Sequence, residues 1–282
     1  MRIAATRPLP GPAWDELDDV VIGARPDAEI LVLMNEPVPF DDYPQLRLVA
    51  NFSVGYDNID VEECRRRGIA VSNTPGVLDA ATADLAFGLI LAARRRIAEG
   101  DRTIRAGAWR LDGLAREVSG ATIAVVGLGR IGSAVARRAQ GFDMRVLGVR
   151  SREGDLDAAL READVVSLHV PLTDATHGLI SRERLASLRD GATLVNTARG
   201  AVVDEDALVE ELVSGRITAG LDVFVHEPHV PERLLGLPNV VLTPHIASAT
   251  VETRAAMTRV VVDNVLAFLR GEPLLTPVLK AS

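Results

Sequence analysis

The feature that most constrains the fold of this chain is a glycine-rich turn between an apolar strand and a helix. Residues 125–136 read VVGLGRIGSAVA, in which Gly127, Gly129 and Gly132 fit the pattern G-x-G-x-x-G. The first glycine permits a tight turn, the second lets a pyrophosphate approach the backbone, and the third lets the helix pack closely on the strand. The amide groups at the helix start attract phosphate. The pattern predicts a dinucleotide site, and the alternative is a glycine-rich turn without a ligand.

After residue 121, short apolar runs alternate with helical segments, as in a parallel sheet covered by helices on both faces. The predicted strands are 122–126, 145–149, 165–169, 193–196, 218–221 and 240–242. The predicted helices are 131–140, 156–162, 182–187 and 205–213. This order predicts an α/β fold with a doubly wound parallel sheet of the Rossmann type.

The first part of the chain shows a looser alternation of the same kind. Its predicted elements are strands near 3–5, 29–34, 47–51 and 70–71, and a helix at 61–67. A long amphipathic helix near 80–96 connects the halves, and a final helix near 251–270 follows the last strand of the large domain and is expected to pack on the first. We therefore predict a smaller, discontinuous, flavodoxin-like α/β domain (1–77 plus 251–282) and a dinucleotide-binding domain (78–250).

Composition argues against several partners. The 282 residues carry a net charge of -8 with no run of lysine and arginine, which argues against nucleic acid and against an anionic membrane surface. No apolar stretch is long enough to span a bilayer, and the first ten residues lack the long apolar region of a signal peptide. These observations predict a cytoplasmic protein. Cys64 is the only cysteine, so an internal disulfide is excluded.

The lysine content removes several enzyme classes. Lys280 is the only lysine in the chain. A phosphate-binding P-loop, a Schiff-base enzyme and the Tyr-x-x-x-Lys pair of short-chain dehydrogenases each need a lysine inside the functional site. A nicotinamide enzyme built on this sequence must use another proton donor.

The end of the second predicted strand bears on the choice of cofactor. An acid at this position would hold the ribose hydroxyls of NAD, but the chain reads Arg150, Ser151 and Arg152 after Val149. Two arginines and a serine suit a ribose 2′-phosphate, which an aspartate would repel. We predict NADP as cofactor; NAD is the alternative if these arginines are only solvated surface residues.

Four further segments point to a family. They are VGYDNID at 54–60, NTARG at 196–200, LDVF at 221–224 leading to Glu227-Pro228, and TPHIAS at 243–248. Together with the glycine turn, and in the same order with compatible spacing, they resemble the D-isomer specific 2-hydroxyacid dehydrogenases from about residue 46 onward. With residues 150–152 included, the resemblance is strongest to the glyoxylate/hydroxypyruvate reductase branch.

The resemblance implies reduction of a small 2-oxo acid to a D-2-hydroxy acid by hydride transfer. Arg199 would hold the substrate carboxylate, which its planar fork matches. His245 would donate the proton, because its charge changes near neutral pH and a neighbouring carboxylate, implied to be Glu227, favours its protonated form. Taken singly, these residues would be a surface arginine, a loop histidine and a glutamate that caps a turn before Pro228.

The resemblance also assigns binding residues. The substrate would contact Val54, Gly55 and Ser248 as well as Arg199 and His245. The cofactor would contact Thr82, Gly127, Gly129, Arg130, Ile131, Gly132, Arg150, Ser151, Arg152, Pro171, Thr197, Asp222 and Ala247. No metal is expected, since Pro228 interrupts the spacing that His226, Glu227 and His229 would need. Trp109 resembles part of the arm through which relatives dimerise, which predicts a homodimer; a buried core tryptophan is the alternative.

Two other functions fit the same fold. One is a nucleotide-binding sensor or corepressor with little turnover, against which the presence of Arg199, Glu227 and His245 argues. The other is phosphite oxidation, which needs further basic residues in the substrate pocket, and the first domain does not offer a clear extra lysine for that purpose. The segment before Val54 and the stretch 151–164 are shorter than is usual in the family, and the second implies a missing strand and helix.

Overall fold

The computed structural model describes residues 1–150 and 156–278. The chain forms two compact units, one built from Met1–Leu78 with Ser248–Ser282 and the other from Asp79–Ala247. Each unit contains one parallel sheet. The predicted α/β class, with a doubly wound sheet and a smaller second α/β unit, is confirmed.

The sheet of the first unit has five strands in the order β2-β1-β3-β4-β5. They are β1 (Ile3–Ala5), β2 (Val20–Ile22), β3 (Ile30–Leu33), β4 (Leu48–Asn51) and β5 (Ala70–Ser72). The helix α1 (Val61–Arg67) connects β4 to β5, and short 3-10 turns lie at Pro12–Glu16 and Phe40–Asp42. This is the flavodoxin-like strand order.

The strand β2 was not among the predicted elements. It has three residues, lies at the edge of the sheet, and pairs with β1 alone. Val21 and Ile22 are exposed, so the segment lacks the apolar pattern of a buried strand. Main-chain pairing with β1 defines this strand, and that pairing leaves no signature in the side chains.

The second unit begins with two helices, α2 (Asp79–Arg94) and α3 (Ile97–Arg105). The single helix predicted near 80–96 is therefore wrong at its end, because Arg96 has a left-handed conformation (φ 55°) that stops one helix before the next begins. Most of the side chains of α2 that are buried are small or apolar, and the helix packs on the sheet that follows.

The sheet of the second unit has six strands in the order β11-β10-β9-β8-β6-β7. They are β6 (Thr122–Val126), β7 (Arg145–Val149), β8 (Val165–Leu168), β9 (Thr193–Asn196), β10 (Thr218–Leu221) and β11 (Val240–Leu242). The predicted strands match these within one residue, and His169 follows β8 instead of ending it. The order reverses between β6 and β8, and ligands of open α/β sheets bind beyond the carboxyl ends of strands at such a point.

Helices cover both faces of this sheet. They are α4 (Arg130–Gln140), α5 (Leu156–Glu162), α6 (Arg182–Ala186), α7 (Glu205–Val213) and α8 (Glu232–Leu235). In β6, Ile123 and Val125 belong to one apolar cluster, whereas Ala124 and Val126 belong to another. Because alternate side chains of a strand point to opposite faces, β6 is buried on both sides, which explains its continuous apolar sequence.

The last helix, α9 (Val251–Leu269), belongs to the first unit. It packs on β4 and on the 3-10 turn at Pro12–Glu16, as the sequence led us to expect. Thr250 begins the helix by accepting a hydrogen bond from the Thr253 amide at 3.1 Å.

Candidate active site

The glycine turn follows β6 and has the conformation that its sequence predicts. Gly127 has a positive φ of 95°, and a Cβ there would lie 2.6 Å from the carbonyl oxygen of His169. At Gly132 a Cβ would lie 2.0 Å from the Gly127 oxygen, so only glycine lets α4 pack this closely. A Cβ at Gly129 would meet nothing within 4 Å. The fold therefore requires Gly127 and Gly132, and Gly129 leaves open space at the start of α4.

The remaining residues assigned to a nucleotide lie around this turn and at neighbouring strand ends. Arg130 and Pro171 are exposed, Ile131 is half-buried, and Thr82 is buried in α2. Thr197 directly follows β9 and is buried, and its hydroxyl has no hydrogen-bond partner within residues 1–150 and 156–278. A buried hydroxyl with no partner at a strand end, in the unit whose α4 begins at open space, fits a polar ligand such as a dinucleotide.

Of the three residues at the end of β7, the structure describes only Arg150, which is exposed. Ser151 and Arg152 lie outside the described residues.

The central contact of the site joins His245 to Glu227. The Nδ1 atom of His245 lies 2.7 Å from Oε2 of Glu227, and both side chains are about one-third exposed, at 32% and 33%. The other carboxylate oxygen, Oε1, accepts a hydrogen bond from the Phe224 amide at 3.0 Å. Glu227 therefore caps its own turn and also pairs with the histidine, so the two roles considered from the sequence occur together.

The charge state of Glu227 follows from its neighbours. Burial acts to raise the pKa of this carboxyl group, but the hydrogen bond and charge of His245, the Phe224 amide and the charge of Arg199 lower the pKa below its ordinary value. Glu227 is thus held as a carboxylate beside the imidazole ring. Its contact with Nδ1 fixes the orientation of the ring.

Asp222 holds the segment that carries the histidine. It is fully buried after β10, and its carboxylate accepts hydrogen bonds from the amides of Ile246 at 2.8 Å and Ala247 at 3.0 Å. The Thr243 hydroxyl donates a third, at 2.6 Å. His245 has a left-handed backbone, with φ of 52°, which these contacts on both sides maintain.

Asp222 and Ala247 are both predicted to contact the cofactor. In the structure the Ala247 amide donates to one carboxylate oxygen of Asp222, so both of these groups already have a partner within the protein. Burial acts to raise the pKa of Asp222, and its three donors only partly oppose that effect. Thr243 was not among the predicted site residues, although it stands two positions before the histidine; its position just after β11 was the available signal.

Arg199 lies near the same pair. It is half-buried after β9, its carbonyl oxygen accepts a hydrogen bond from the Asn196 side-chain amide at 2.8 Å, and its charge contributes to the lowered pKa of Glu227. At the next residue, Gly200, a Cβ would lie 2.1 Å from the carbonyl carbon of Phe224. This close packing places the NTARG segment against the segment leading to Glu227, and brings Arg199, Glu227 and His245 into one cluster.

The predicted substrate residues Val54, Gly55 and Ser248 lie in the first unit and are all half-buried. Val54 and Gly55 form part of the loop that follows β4, and Ser248 lies just before α9.

No group of three or more histidine, cysteine, aspartate or glutamate side chains in the described part of the chain could hold a metal ion. No described helix combines the length and the apolar character needed to cross a bilayer.

Comparison with known proteins gives the family. The family model for the NAD-binding domain of the D-isomer specific 2-hydroxyacid dehydrogenases matches residues 87–247. The glyoxylate reductase of Pyrococcus furiosus is 51% identical over 254 residues, covering 83% of this chain and 76% of that protein. This chain belongs to the D-isomer specific 2-hydroxyacid dehydrogenase family.

Other 2-hydroxyacid dehydrogenases extend the similarity to almost the whole chain. The glyoxylate reductase of Korarchaeum cryptofilum is 48% identical over 276 residues, covering 90% of this chain and 83% of that protein. The NADPH-dependent glyoxylate/hydroxypyruvate reductase of Sinorhizobium meliloti, solved with NADP and malonate, has a TM-score of 0.86 at 37% identity and covers 100% of this chain and 99% of that one. The protein is an NAD(P)-dependent 2-hydroxyacid dehydrogenase that acts as a 2-oxo acid reductase, and the comparisons give no support to a sensor or a phosphite oxidase.

Proposed function

We propose that this enzyme reduces glyoxylate, hydroxypyruvate or a 2-oxo acid of similar size to the D-2-hydroxy acid, with NADPH as the preferred cofactor. The observation that carries the proposal is the 2.7 Å contact between His245 Nδ1 and Glu227 Oε2 in the cluster that includes Arg199. The relatives from Pyrococcus furiosus and Korarchaeum cryptofilum, both glyoxylate reductases, support the substrate class.

The chemistry needs a proton donor at the keto oxygen of the substrate. We assign this role to His245: because Nδ1 is engaged by Glu227, Nε2 is the ring nitrogen that can donate to a substrate. The carboxylate of Glu227 holds the ring through Nδ1 and so fixes the direction of Nε2 during the transfer. When bound, the reduced nicotinamide supplies the hydride.

Arg199 is assigned to the substrate carboxylate. Its guanidinium presents paired N–H donors in a plane, which matches the two oxygens of a carboxylate. We assign further substrate contacts to Val54, Gly55 and Ser248, so that the first unit is the substrate-binding domain. Asp222 and Thr243 act through their neighbours by holding the backbone around His245.

The nucleotide role is assigned to the second unit. The open space at Gly129 and the buried Thr197 hydroxyl support a dinucleotide there. The preference for NADP rests on the positive charge at Arg150 and on the NADP bound by the Sinorhizobium meliloti relative. The remaining assigned contacts are Thr82, Gly127, Arg130, Ile131, Gly132, Ser151, Arg152, Pro171, Asp222 and Ala247.

We further propose a homodimer. Trp109 is 86% exposed and Leu114 is 96% exposed, so the alternative of a buried core tryptophan is wrong. Two large apolar side chains this exposed in one segment fit a surface covered by a second copy of the chain. Sedimentation velocity of the protein and of Trp109→Ser tests the proposal, which predicts a dimer for the protein and a monomer for the variant.

A cytoplasmic location remains a prediction from the sequence.

A kinetic panel tests the reaction. The protein is mixed with NADPH or NADH and a series of 2-oxo acids, among them glyoxylate, hydroxypyruvate, pyruvate and hydroxyphenylpyruvate, and the absorbance of the reduced nicotinamide is followed. We expect the highest kcat/KM for the two smallest polar substrates with NADPH. A higher kcat/KM for the aromatic substrate would contradict the proposed substrate class.

A further inference from the structure

The loop after β4 presents three successive carbonyl oxygens, and each accepts a hydrogen bond from outside the loop. The amide of Thr74 donates to the oxygen of Ser53 at 3.0 Å. The side-chain amide of Asn73 donates to the oxygen of Val54 at 2.8 Å, and that of Asn51 to the oxygen of Gly55 at 2.7 Å. The donors come from β4 and from the segment after β5, so the loop is held by two neighbouring strand ends.

These contacts determine where the amides of the loop point. In a trans peptide the N–H points opposite to the C=O of the preceding residue. Binding of the Ser53 and Val54 oxygens therefore turns the N–H groups of Val54 and Gly55 away from the donors. Neither of these two N–H groups has a hydrogen-bond partner within residues 1–150 and 156–278. The loop thus carries two adjacent N–H donors of fixed direction, an arrangement that suits a carboxylate.

Asn51 holds the loop at the expense of an unpaired buried oxygen atom, which points to a functional reason for this residue. Asn51 is completely buried, and its Oδ1 has no partner among the described residues. The opposite amide orientation would place Oδ1 against the Gly55 oxygen, so the contact itself decides which atom donates. A buried acceptor without a partner is unfavourable, and an apolar residue would avoid it.

Asn73 is in turn held by the C-terminal segment. The Thr276 hydroxyl donates to the backbone carbonyl oxygen of Asn73 at 2.6 Å. The backbone N–H of Asn73 in turn donates to the carbonyl oxygen of Thr276 at 3.3 Å. Asn264, fully buried in α9, binds Thr276 through both atoms of its side-chain amide, at 3.0 and 3.1 Å. The position of Asn73 therefore depends on a chain of hydrogen bonds that ends in α9.

We propose that Asn51 and Asn73, with Thr276 behind Asn73, are positioning residues that direct the Val54 and Gly55 amides toward the carboxylate of the 2-oxo acid. The inference rests on the substrate role proposed above for Val54 and Gly55. It adds that carboxylate affinity depends on the C-terminal segment through Asn73, although neither asparagine touches the substrate itself.

The test variant is Asn73→Asp, which keeps the shape, removes the N–H donor and adds a negative charge; the uncharged variant Thr276→Val separates loss of the positioning contact from repulsion of the substrate by that charge. We expect KM for glyoxylate to rise about tenfold, because the aligned N–H groups bind substrate and transition state alike. We expect kcat and the Kd for NADPH to stay within about twofold. The matched control is Asn239→Asp in the second unit, where the same type of side chain donates to the backbone oxygens of Leu212 and Ile217 at 2.9 and 2.8 Å; its KM should not change.

Thr276→Val provides a second variant of nearly unchanged shape in case Asn73→Asp does not fold, and it should raise KM in the same direction with a smaller effect. An unchanged KM in whichever of the two variants folds would overturn the proposal. A rise of equal size in Asn239→Asp would overturn it too, because the effect would then reflect general destabilisation.

Amide NMR of the NADPH-bound protein separates this inference from the proposed substrate role. Oxamate, an unreactive carboxylate analogue, should shift the Val54 and Gly55 signals in the wild type and shift them less in Asn73→Asp at equal concentration. Equal shifts in both proteins would overturn the role of Asn73 alone. No shift in the wild type would overturn the substrate role of the loop, and the positioning role with it.

Discussion

His245 and Glu227 are in contact through Nδ1 and Oε2 at 2.7 Å, and the carboxylate is held in its charged form. The lowered pKa of Glu227 means that the folded state binds its proton less readily than the unfolded state. Its contribution to stability is therefore present above the ordinary pKa of 4.5 and is lost as the pH falls through the lowered pKa. The pair can thus serve a proton transfer at neutral pH without loss of the carboxylate.

Replacement of either member of the pair should affect catalysis and not nucleotide binding. His245→Gln should lower kcat by about 10² to 10⁴ because no other group replaces the proton donor, while the Kd for NADPH stays within about twofold. Glu227→Ala should lower kcat by about tenfold or more, because the ring loses the partner that holds Nδ1 and so fixes the direction of Nε2. An unchanged kcat would contradict the role of Glu227.

Asp222 should prove essential to the conformation around the histidine. In Asp222→Asn, one carboxylate oxygen becomes an NH₂ group that faces N–H donors, which should lower the free energy of unfolding by about 1 to 3 kcal/mol. The control is Asp204→Asn, where the aspartate caps α7 by accepting from the Ala207 amide at 3.0 Å and asparagine is an equally good cap. Chemical denaturation of both variants measures the difference, and equal stabilities would contradict the role of Asp222.

The three glycines of the turn should separate into structural and binding positions. Gly132→Ala places a methyl group 2.0 Å from the Gly127 oxygen and should cost about 1 to 3 kcal/mol of stability. Gly129→Ala meets no atom within 4 Å, so the melting temperature should be retained while NADPH affinity falls by about tenfold or more. Gly236→Ala, also without a neighbour within 4 Å, is the control for both measurements. Unchanged NADPH affinity in Gly129→Ala would contradict the nucleotide site.

The charge at Arg150 should influence the choice between NADPH and NADH. Arg150→Asp places a negative charge where a 2′-phosphate is expected, so the ratio of kcat/KM for NADPH to that for NADH should fall by about tenfold or more. Arg145→Gln at the opposite end of β7, where the arginine pairs with Glu162, should leave the ratio unchanged. A ratio that stays constant in Arg150→Asp would contradict the preference for NADP.

His169 should make stability depend on pH below neutrality. Burial lowers the pKa of this ring from 6.5 to about 4, and its Nε2 lies 2.8 Å from the Ser167 hydroxyl. The unfolded chain takes up a proton below pH 6.5 whereas the folded protein does not, so the free energy of unfolding should decrease as the pH falls from 6.5 to about 4. The loss attributable to this ring is at most about 3 kcal/mol. His169→Asn should show a smaller decrease over that range in urea titrations; an equal decrease would assign the effect to other groups.

Much of the second unit could be predicted from its sequence because the signals are local. A strand buried on both faces is continuously apolar, a helix packed on a sheet has a 3.6-residue pattern, and a turn such as that at Gly127 tolerates only glycine. These constraints act within about ten residues, so the strands of this sheet were predicted within one residue. Local signals failed at two places where main-chain pairing or conformation determines the structure. These are the edge strand β2 and the break between α2 and α3 at Arg96.

The site was predicted from motifs, but its geometry depends on the tertiary structure. The sequence by itself determined which residue types were present: an arginine, a glutamate and a histidine after successive strands, and no lysine except Lys280. Only the tertiary structure decided that Glu227 pairs with a histidine 18 residues away, that Asp222 holds the backbone around His245, and that Asn73 is held by Thr276 across 203 residues. The physical reason is that hydrogen bonds require specific distances and directions, and for residues far apart in the chain these arise only when the packed sheets and helices bring their ends together.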